Sequence, residues 1–571
     1  TRTSGNIDIA GLTGFTVDTS INAASGVEFD GVYTASGSGG NIDLATGNNS
    51  LIVNKPVTAD GDGLSANGYV NLWAVGGDIQ INDVITANNF IDLLAADGIT
   101  VAADMTAYNS HIYMWADNDA DLVGDVTFDG TGAFGPITIN SGDVVLVMGA
   151  NIYSLGNAAG DVTFNVNGTV ASDGGVVPRE FSLALLAEDN VGSAANPVLL
   201  TANLAGSFLT YADADLSQIA GSGFSHDETA IAPHLPFSQG QAPDSIGEVF
   251  MDDNSVINSG QDIVIIAPDD IYLDHGSYTA PGDIYVQSTG ASVSTAPDII
   301  LQAGTDGNLL TSGDIDIIAF TDIIIGDRVT MDADNKITFL AGASIYVGQD
   351  GSQITGIGDI NYSALGVNPT SLPGANGSIT IDSNTALQTG VGDIFLNGSD
   401  FVSVDGTLDP NGGWLRITTG VAGSGSGLWN GAFVLGPNGV VDVPGLFVIA
   451  GQGSPGTPFT QNYVQIENPD PNVNLDIVTI EGQISATNNV IIDLSGTDTG
   501  GANLEGNIAF GAGAEINSGN NVTIITNATG AYGVVETVPG AGSVDIYGDQ
   551  ITITAAGTGA SITVGDLVAD V

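Results

Sequence analysis

The sequence predicts an all-β fold, specifically a parallel right-handed β-helix (β-solenoid) with irregular loop excursions. Three observations lead to this prediction. Segments repeat at a step near 21 residues, short strands alternate apolar with small or polar residues, and Gly-Asp pairs recur where such strands begin. Helical periodicity is nearly absent, so coils of short strands are expected throughout.

The repeat is clearest in three segments that begin at residues 69, 90 and 111, a step of 21 each time. These are Tyr69–Ala74, Phe90–Ala95 and His111–Ala116. The intervening Gly77–Asn82 and Asp97–Ala102 alternate as half-buried strands do. A string of antiparallel sandwiches is the alternative, but sandwiches impose no register-keeping repeat of this kind.

Gly-Asp before a β-branched residue marks the predicted corners. The glycines are Gly77, Gly124, Gly142, Gly160, Gly282, Gly313, Gly358 and Gly392. Glycine permits a tight corner, Asp is expected to bond back to the turn backbone, and Ile or Val begins the inward-facing strand. The pairs at Gly124, Gly142 and Gly160 lie 18 residues apart, which suggests that the coil length varies. Asn88-Asn89 and similar pairs are expected to form side-chain ladders.

The organisation predicted along the chain is one continuous rod interrupted twice. Solenoid coils are expected over residues 1–204, 248–405 and 462–571. Residues 205–247 contain histidines and prolines without alternation and are predicted to be an irregular loop excursion. Residues 406–461 are rich in Gly and Pro and are predicted to be a second excursion.

Charge excludes several classes of partner. The chain has 65 acidic and six basic residues, a net charge of −59, and the basic residues are scattered singly. No basic stripe exists for phosphates, so neither nucleic-acid binding nor membrane-surface binding is expected. No apolar run reaches transmembrane length, so membrane insertion is not expected either. Repulsion between carboxylates on neighbouring coils calls for screening or bound cations.

Two clusters of oxygen ligands are candidate Ca²⁺ sites. Asp117, Asp119, Asp121 and Asp125 occupy positions 1, 3, 5 and 9 of an EF-hand-like loop, although this loop lacks the Gly at position 6 and the Glu at position 12. A similar alternation comprises Asp470, Asn472, Asn474 and Asp476. The alternative is that both clusters are polar turns between coils. Given the net charge, we expect at least one of them to bind Ca²⁺.

Two stretches carry a family resemblance. Leu185–Ala202 consists of a strand, a Val-Gly-Ser turn, Asn-Pro and a second strand, and it resembles a phrase frequent in filamentous-haemagglutinin-like secreted proteins. Gly313–Val347 resembles the same family's repeats. The resemblance implies a right-handed β-helix exported across a bacterial envelope to the cell surface or the extracellular space, where it acts as an adhesin, filament or biofilm-matrix component.

The function expected from the sequence is structural or adhesive, and no enzyme activity is expected. The catalytic set of residues that β-helical polysaccharide hydrolases use is missing. The alternative is a polysaccharide lyase or hydrolase, or a glycan-binding β-helix. Glycan binding would use an aromatic stripe of Tyr69, Trp73, Phe90, Tyr113 and Trp115 if these side chains face outward.

Self-association is expected through the terminal strands. Strand-like sequence lies at both ends, in Gly5–Ala10 and Ala560–Gly565. An exposed terminal coil offers unpaired backbone groups and the open end of an apolar column. We therefore expect a homo-polymer formed head to tail. The alternative is that further coils of a longer polypeptide cover these ends.

Overall fold

The fold comes from a computed structural model. It describes residues 2–3, 7–11, 15–17, 20–22, 27–29, 31–34, 40–47, 49–59, 67–117, 124–131, 135–155, 162–172, 179–194, 196–212, 247–252, 255–295, 299–304, 313–348, 352–357, 359–364, 377–398, 401–411, 415–419, 432–443, 464–467, 477–486, 490–494, 507–511, 513–527, 534–537, 545–556, 561–563 and 567–569. Every regular element in these ranges is a β-strand, which confirms the all-β prediction. The chain divides into two compact units, Thr1–Gly290 and Ala291–Val571.

The first unit is a parallel β-solenoid whose coils carry three strands, on faces A, B and C in chain order. Face A contains β2 (Ile7–Gly11), β7 (Ile42–Thr46), β10 (Val70–Ala74), β13 (Ile91–Ala95), β16 (Ile112–Trp115), β19 (Val145–Gly149), β23 (Arg179–Ala187), β25 (Ser207–Tyr211), β28 (Ile263–Ala267) and β31 (Ile284–Ser288). Face B contains β3 (Phe15–Val17), β8 (Leu51–Val53), β11 (Ile79–Ile81), β14 (Ile99–Val101), β17 (Val126–Asp129), β20 (Ile152–Leu155), β26 (Val249–Met251) and β29 (Ile271–Leu273). Face C contains β1 (Arg2–Thr3), β6 (Val32–Thr34), β9 (Val57–Ala59), β12 (Ile85–Ala87), β15 (Met105–Ala107), β18 (Ile137–Ser141), β21 (Val162–Val166), β24 (Leu200–Leu204), β27 (Ser255–Asn258) and β30 (Gly276–Ala280).

Two short antiparallel pairs accompany these coils. The strands β4 (Ser20–Asn22) and β5 (Val27–Phe29) form one pair. The other joins β22 (Val170–Ser172) to the beginning of β23.

The second unit repeats the same architecture, and its faces are named in the same chain order. Face A contains β34 (Ile315–Ala319), β37 (Ile337–Ala341), β40 (Ile360–Ala364), β43 (Ile394–Gly398), β46 (Leu415–Thr419), β49 (Val464–Glu467), β52 (Val490–Leu494), β55 (Asn521–Asn527) and β58 (Gln550–Ala556). Face B contains β32 (Val293–Thr295), β35 (Ile323–Ile325), β38 (Ile345–Val347), β41 (Ser378–Ile381), β44 (Phe401–Val404), β47 (Ala432–Leu435), β50 (Ile477–Ile480), β53 (Asn507–Phe510), β56 (Val534–Thr537) and β59 (Ser561–Thr563). Face C contains β33 (Ile300–Ala303), β36 (Thr330–Ala333), β39 (Gln353–Gly356), β42 (Ala386–Thr389), β45 (Thr407–Pro410), β48 (Val440–Val443), β51 (Gln483–Ala486), β54 (Glu515–Ser518), β57 (Asp545–Gly548) and β60 (Leu567–Ala569).

The register of the strands confirms the repeat near 21 residues. Val70 is aligned with Ile91, and Ile91 with Ile112. The 18-residue step is not a coil length. Gly124 precedes β17 on face B, whereas Gly142 precedes β19 on face A. Both corners carry the same Gly-Asp pattern. The sequence distance between two different corners can therefore be mistaken for the length of a coil.

The interior of each unit is a continuous column of aliphatic side chains. Strands such as β11 and β14 bury their first and third residues and leave the middle residue partly exposed. Stacked parallel strands therefore place buried Ile, Val and Leu directly above one another, and removing this surface from water is the main contribution to stability. In the second unit the column includes Phe339 and Tyr362, whose rings stack with centroids 4.4 Å apart.

Face A of the first unit has a second apolar layer on its outside. Outward positions alternate with the inward ones, yet many of them are also buried and form one cluster: Tyr113, Trp115, Leu146, Met148, Ala184, Leu186, Leu209 and Val264, joined by Val144 and Phe181. All five residues of β13 and of β19 are buried for this reason. The strands β13, β16 and β19 are therefore packed on both sides, whereas the outward residues of β7 and β10 are not buried.

Corner Asp and Asn side chains bind the next coil. In each case an Oδ1 atom accepts a hydrogen bond from the backbone N–H at the matching corner one coil further along the chain. The donor–acceptor distances are between 2.6 and 3.2 Å for Asn41 with Tyr69, Asp78 with Gly98, Asp104 with Thr138, Asn151 with Asn190, Asn190 with Glu248, Asp262 with Asp283, Asp314 with Lys336, Asp322 with Ser344, Asp359 with Asp393, and Asp405 with Asn438. Asp was expected to bond back to its own turn, as Asp83, Asp129, Asp274 and Asp382 do. The bonds given above instead tie consecutive coils together.

Both predicted excursions contain coil strands. Within residues 205–247, β25 lies in face A and pairs with β23 and β28. Residues 213–246 lie outside the described residues. Within residues 406–461, β45, β46, β47 and β48 all pair with strands of neighbouring coils. The Gly- and Pro-rich composition belongs to the connections, while the strands between them keep the β-branched alternation.

The segment that resembles filamentous-haemagglutinin-like proteins joins face A to face C. Leu185–Ala202 begins in β23 and ends in β24, with a turn at Gly192 whose φ is +77°. A side chain at Gly192 would collide with the backbone oxygen of Phe250 in the next coil. This position requires glycine both for its left-handed backbone and for the close approach of that coil.

Candidate functional site

The first predicted Ca²⁺ cluster lies at a corner of the first unit. Asp117 is buried and has a left-handed φ of +57°. Its backbone N–H donates a hydrogen bond to the backbone carbonyl oxygen of Asp97 at 3.1 Å. Gly124 packs so tightly against Asp117 that a side chain there would collide with the Asp117 nitrogen. Asp117 and Asp125 therefore lie at the same corner.

The remaining predicted ligands are not placed. Asp119 and Asp121 lie outside the described residues, as do Asp470, Asn472, Asn474 and Asp476. Of the first cluster, Asp125 accepts a hydrogen bond from the Asn151 amide at 2.9 Å. Over the parts of the chain with described coordinates, no group of three or more His, Asp or Glu side chains is arranged to hold a metal ion.

A run of carboxylates continues along this corner and the neighbouring turns. We define the acidic corner as Asp125, Asp189, Glu248, Asp269 and Asp270. Its coils are joined by a polar ladder, in which Asn151 Oδ1 accepts both the backbone and the side-chain N–H of Asn190 at 3.1 Å. Asn190 Oδ1 in turn accepts the Glu248 backbone N–H at 2.8 Å. The ladder thus places Asn151 on the coil between Asp125 and Asp189, and Glu248 on the coil after Asp189.

Crowding perturbs the ionisation of the acidic corner. Burial raises the pKa of Asp189, and the charge of Asp125 raises it further. Burial, followed by the charges of Asp269 and Asp270, raises the pKa of Glu248. The pKa of Asp269 is raised by burial and by Asp270. Each of these carboxylates is harder to ionise than an isolated one, and a nearby cation would relieve that penalty.

The sequence drew attention to Asp125 but not to Asp189 or Glu248. The signal that could have found them is the coil register, since Asn151, Asn190 and Glu248 each directly precede an aligned residue of face B. Aligning the corners, rather than searching for one continuous loop motif, brings these residues together.

The predicted aromatic stripe stacks along the coils. Tyr69 lies on Phe90 with ring centroids 4.6 Å apart, and Phe90 lies on His111 at 5.1 Å. His111 in turn stacks on Tyr113 at 3.9 Å. Trp73 is 45% exposed, whereas Trp115 is only 2% exposed. Both tryptophans point outward, but Tyr113 and Trp115 belong to the outer apolar layer and cannot contact a ligand.

His111 takes part in a short chain of polar contacts. Its Nε2 lies 3.3 Å from Asp92 Oδ1, and its Nδ1 lies 3.1 Å from the Ser110 hydroxyl oxygen. Asp92 is fully buried and His111 is 2% exposed, so both side chains are shielded from solvent. Stacking on Tyr113, a member of the outer apolar layer, contributes to the burial of His111. The other described histidine, His275, is partly exposed and contacts Asp274 at 2.6 Å.

Comparison with known proteins adds no assignment. No protein-family model matches the chain, and no curated protein or solved structure is significantly similar to it. Among the elements that the structure describes, there is no helix with the length and hydropathy needed to cross a bilayer.

Proposed function

We propose that the chain is a structural, non-catalytic component of an extracellular fibre, either a subunit or an adhesive stalk. The observation that carries the proposal is the exact parallel register of the coils around an apolar interior in each unit. Backbone hydrogen bonds run from coil to coil, so bending or local opening must break several of them at once. An extracellular or cell-surface location rests on the resemblance of Leu185–Ala202 and Gly313–Val347 to secreted adhesins.

Self-association of the chain is part of this proposal. The strands β58, β59 and β60 each pair with one described strand on one side, and this coil exposes 46% of Ile562 and 44% of Leu567. Apolar side chains exposed on a coil favour the addition of another coil, whether from a second copy or from a longer polypeptide. We propose the second copy, and repetition of such a contact would build a filament.

Electron microscopy of the purified protein tests the proposal. We expect rod-like particles that join into filaments at high protein concentration. The double variant Ile562→Asp/Leu567→Asp should remain folded but fail to form filaments, because it adds charge to the stacking surface. Val391→Asp is the matched control, since Val391 is an exposed apolar residue of another coil. Globular particles, or equal filament formation by the double variant and the wild type, would contradict the proposal.

We propose further that Ca²⁺ stabilises the fibre. The raised pKa values of Asp189, Glu248 and Asp269 support this, because they report repulsion that a divalent cation would reduce. The two sequence clusters that begin at Asp117 and Asp470 remain candidate sites.

Glycan binding is a second candidate function, favoured by the exposure of Trp73. Trp73 points outward and is aligned with Leu94 and Trp115 on the next two coils. Its indole is half exposed. An exposed aromatic plane is suited to stacking on a sugar ring. Retention of Trp73→Ala on immobilised polysaccharides should fall relative to wild type, with Tyr108→Ala as the control for an exposed aromatic elsewhere.

A further inference from the structure

Face C of the first unit presents a regular two-row array of small, uncharged side chains, which are polar except for Val256. Each of five consecutive strands contributes two outward residues, and the rows are aligned by strand pairing. The pairs are Thr138 with Asn140, Thr163 with Asn165, Thr201 with Asn203, Val256 with Asn258, and Ser277 with Thr279. None of these ten side chains is buried, whereas the inward residues between them are. We call this array the Thr/Asn face.

The asparagine row is held rigid by hydrogen bonds between coils. Asn165 donates its side-chain amide to Asn140 Oδ1 at 3.0 Å, and Asn203 donates to Asn165 at 3.0 Å. Asn258 donates to Asn203 at 3.1 Å. The β-branched threonines of the other row have few rotamers. Binding through this face therefore costs little side-chain entropy.

The Thr/Asn face carries no charge, in a chain whose net charge is −59. Asp104 stands at its border, where its Oδ1 accepts the Thr138 N–H at 2.6 Å. The outward row on face C of the second unit differs, since it includes Asp332, Asp409 and Asp442. The neutrality of the first array is thus local. A neutral surface on a polyanion is suited to an uncharged partner and offers nothing to a polycation.

The spacing of the array indicates which neutral partner it fits. Neighbouring coils repeat at ~4.8 Å, and residues i and i+2 along a strand are ~6.6 Å apart. These repeats are close to the distances between water oxygens along and across the prism surface of hexagonal ice. No aromatic ring lies among the ten side chains, so the face lacks the stacking platform that binds sugar rings. We propose that the Thr/Asn face binds ice.

Each contact with ice is weak, but the affinity of the whole array increases with the number of repeated contacts. Hydroxyl and amide groups hold ordered water at lattice positions, and the threonine methyl groups exclude disordered water between them. Because the contacts are fixed on one rigid surface, the first contact positions the rest. This function is additional to the fibre proposed above, and its test does not depend on filament formation.

Ice affinity can be measured with the full chain. We expect the wild type to lower the freezing temperature of ice in solution below its melting temperature, a gap known as thermal hysteresis. We also expect it to inhibit ice recrystallisation. Thr201→Lys places a long charged side chain at the centre of the array and should reduce the gap to that of buffer. Thr380→Lys is the matched control because Thr380 is an outward threonine on face B of the second unit. It should retain the wild-type gap, and circular dichroism should show both variants folded.

Three results would overturn the proposal. One is a wild type that neither separates the two temperatures nor slows recrystallisation. Another is retention of the full gap by Thr201→Lys, or equal loss in the Thr380→Lys control. The third is adsorption to powdered cellulose or chitin without any effect on ice, which would assign the face to a crystalline polysaccharide.

Discussion

At the scale of single residues, the abundance of aspartate has a structural explanation. Asp322 illustrates it, since its Oδ1 accepts the Ser344 N–H of the next coil at 2.9 Å. A corner interrupts the strand ladder, and the carboxylate supplies the acceptor that the backbone lacks there. The Gly-Asp pattern could be recognised in the sequence as corner chemistry. The partner of the carboxylate could not, because it lies one coil away at a distance that depends on loop length.

This role predicts different outcomes for two substitutions of Asp322. Asp322→Asn keeps the Oδ1 acceptor and removes one negative charge, so the free energy of unfolding should change by less than about 0.5 kcal/mol. Asp322→Ala leaves the Ser344 N–H without this acceptor and should cost about 1–2 kcal/mol. Urea unfolding monitored by circular dichroism measures both values. Equal destabilisation by the two substitutions would show that charge, and not the hydrogen bond, is what matters.

A second residue-scale prediction concerns Tyr362 in the interior of the second unit. Its ring is fully buried against Phe339, and its hydroxyl has no hydrogen-bond partner among the described residues. Burial raises the pKa of Tyr362 well above its ordinary value. Tyr362→Phe removes a desolvated hydroxyl and should stabilise the protein by about 1 kcal/mol.

The matched control for Tyr362→Phe is Tyr547→Phe, because Tyr547 is exposed. The control should leave the urea midpoint unchanged. A loss of stability in Tyr362→Phe would mean that the hydroxyl is satisfied, for instance by an internal water.

At the scale of elements, the sequence predicts faces with ordinary alternation better than faces packed on both sides. β11 and β14 alternate and were recognised as half-buried strands. β13 and β16 are buried throughout because face A of the first unit supports the outer apolar layer. A run of apolar residues does not reveal whether its outward side is buried, since the side chains packed against it belong to other coils of the same face. Within the aromatic stripe, Tyr113 and Trp115 are buried in this layer, whereas Trp73 is 45% exposed.

The outer apolar layer makes the stability of the protein far more sensitive to substitution of Asp92 than to substitution of Asp274, which lies outside this layer. Asp92 is fully buried beside His111, whereas Asp274 is partly exposed beside His275. Asp92→Ala leaves the buried imidazole without this partner and should cost about 3–5 kcal/mol. Asp274→Ala should cost no more than about 1 kcal/mol. Thermal unfolding compares the two variants, and similar losses would show that the buried pair is not what joins β13 to β16.

At the scale of the whole molecule, the coil architecture could be predicted from the sequence, whereas the arrangement of its charges could not. The all-β class and the parallel coils were predictable because a repeat near 21 residues recurs in several coils, as between Val70, Ile91 and Ile112. The acidic corner was not, because the loops between its coils differ in length and scatter its members from Asp125 to Asp270 in the sequence. The candidate Ca²⁺ clusters followed from local spacing alone.

The acidic corner predicts that stability falls as pH rises. The pKa values of Asp189, Glu248 and Asp269 are raised in the folded state, so the folded protein binds more protons than the unfolded chain. The resulting stabilisation is fully present below about pH 4 and is lost as pH rises through the folded pKa values. The thermal midpoint should therefore rise when pH is lowered from about 7 to about 5.

Calcium should have the same effect at pH 7. Millimolar Ca²⁺ should raise the midpoint and a chelator should lower it, more strongly at low ionic strength. Glu248→Gln, which removes one of the crowded charges, should raise the midpoint without Ca²⁺ and reduce the response to Ca²⁺. A midpoint independent of both pH and Ca²⁺ would contradict this prediction.

The bonds that the corner residues make also give each unit a chemical polarity. The bonds that corner Asp and Asn side chains accept from backbone N–H groups of a neighbouring coil all run the same way, with the carboxylate or amide oxygen on the earlier coil and the N–H on the later one. A coil therefore offers side-chain acceptors toward higher residue numbers and backbone donors toward lower ones. Two copies related by a twofold axis would meet acceptor to acceptor or donor to donor, and only copies pointing the same way would bring acceptors to donors. Any assembly that extends these coils is thus directional, and its two ends should grow at different rates.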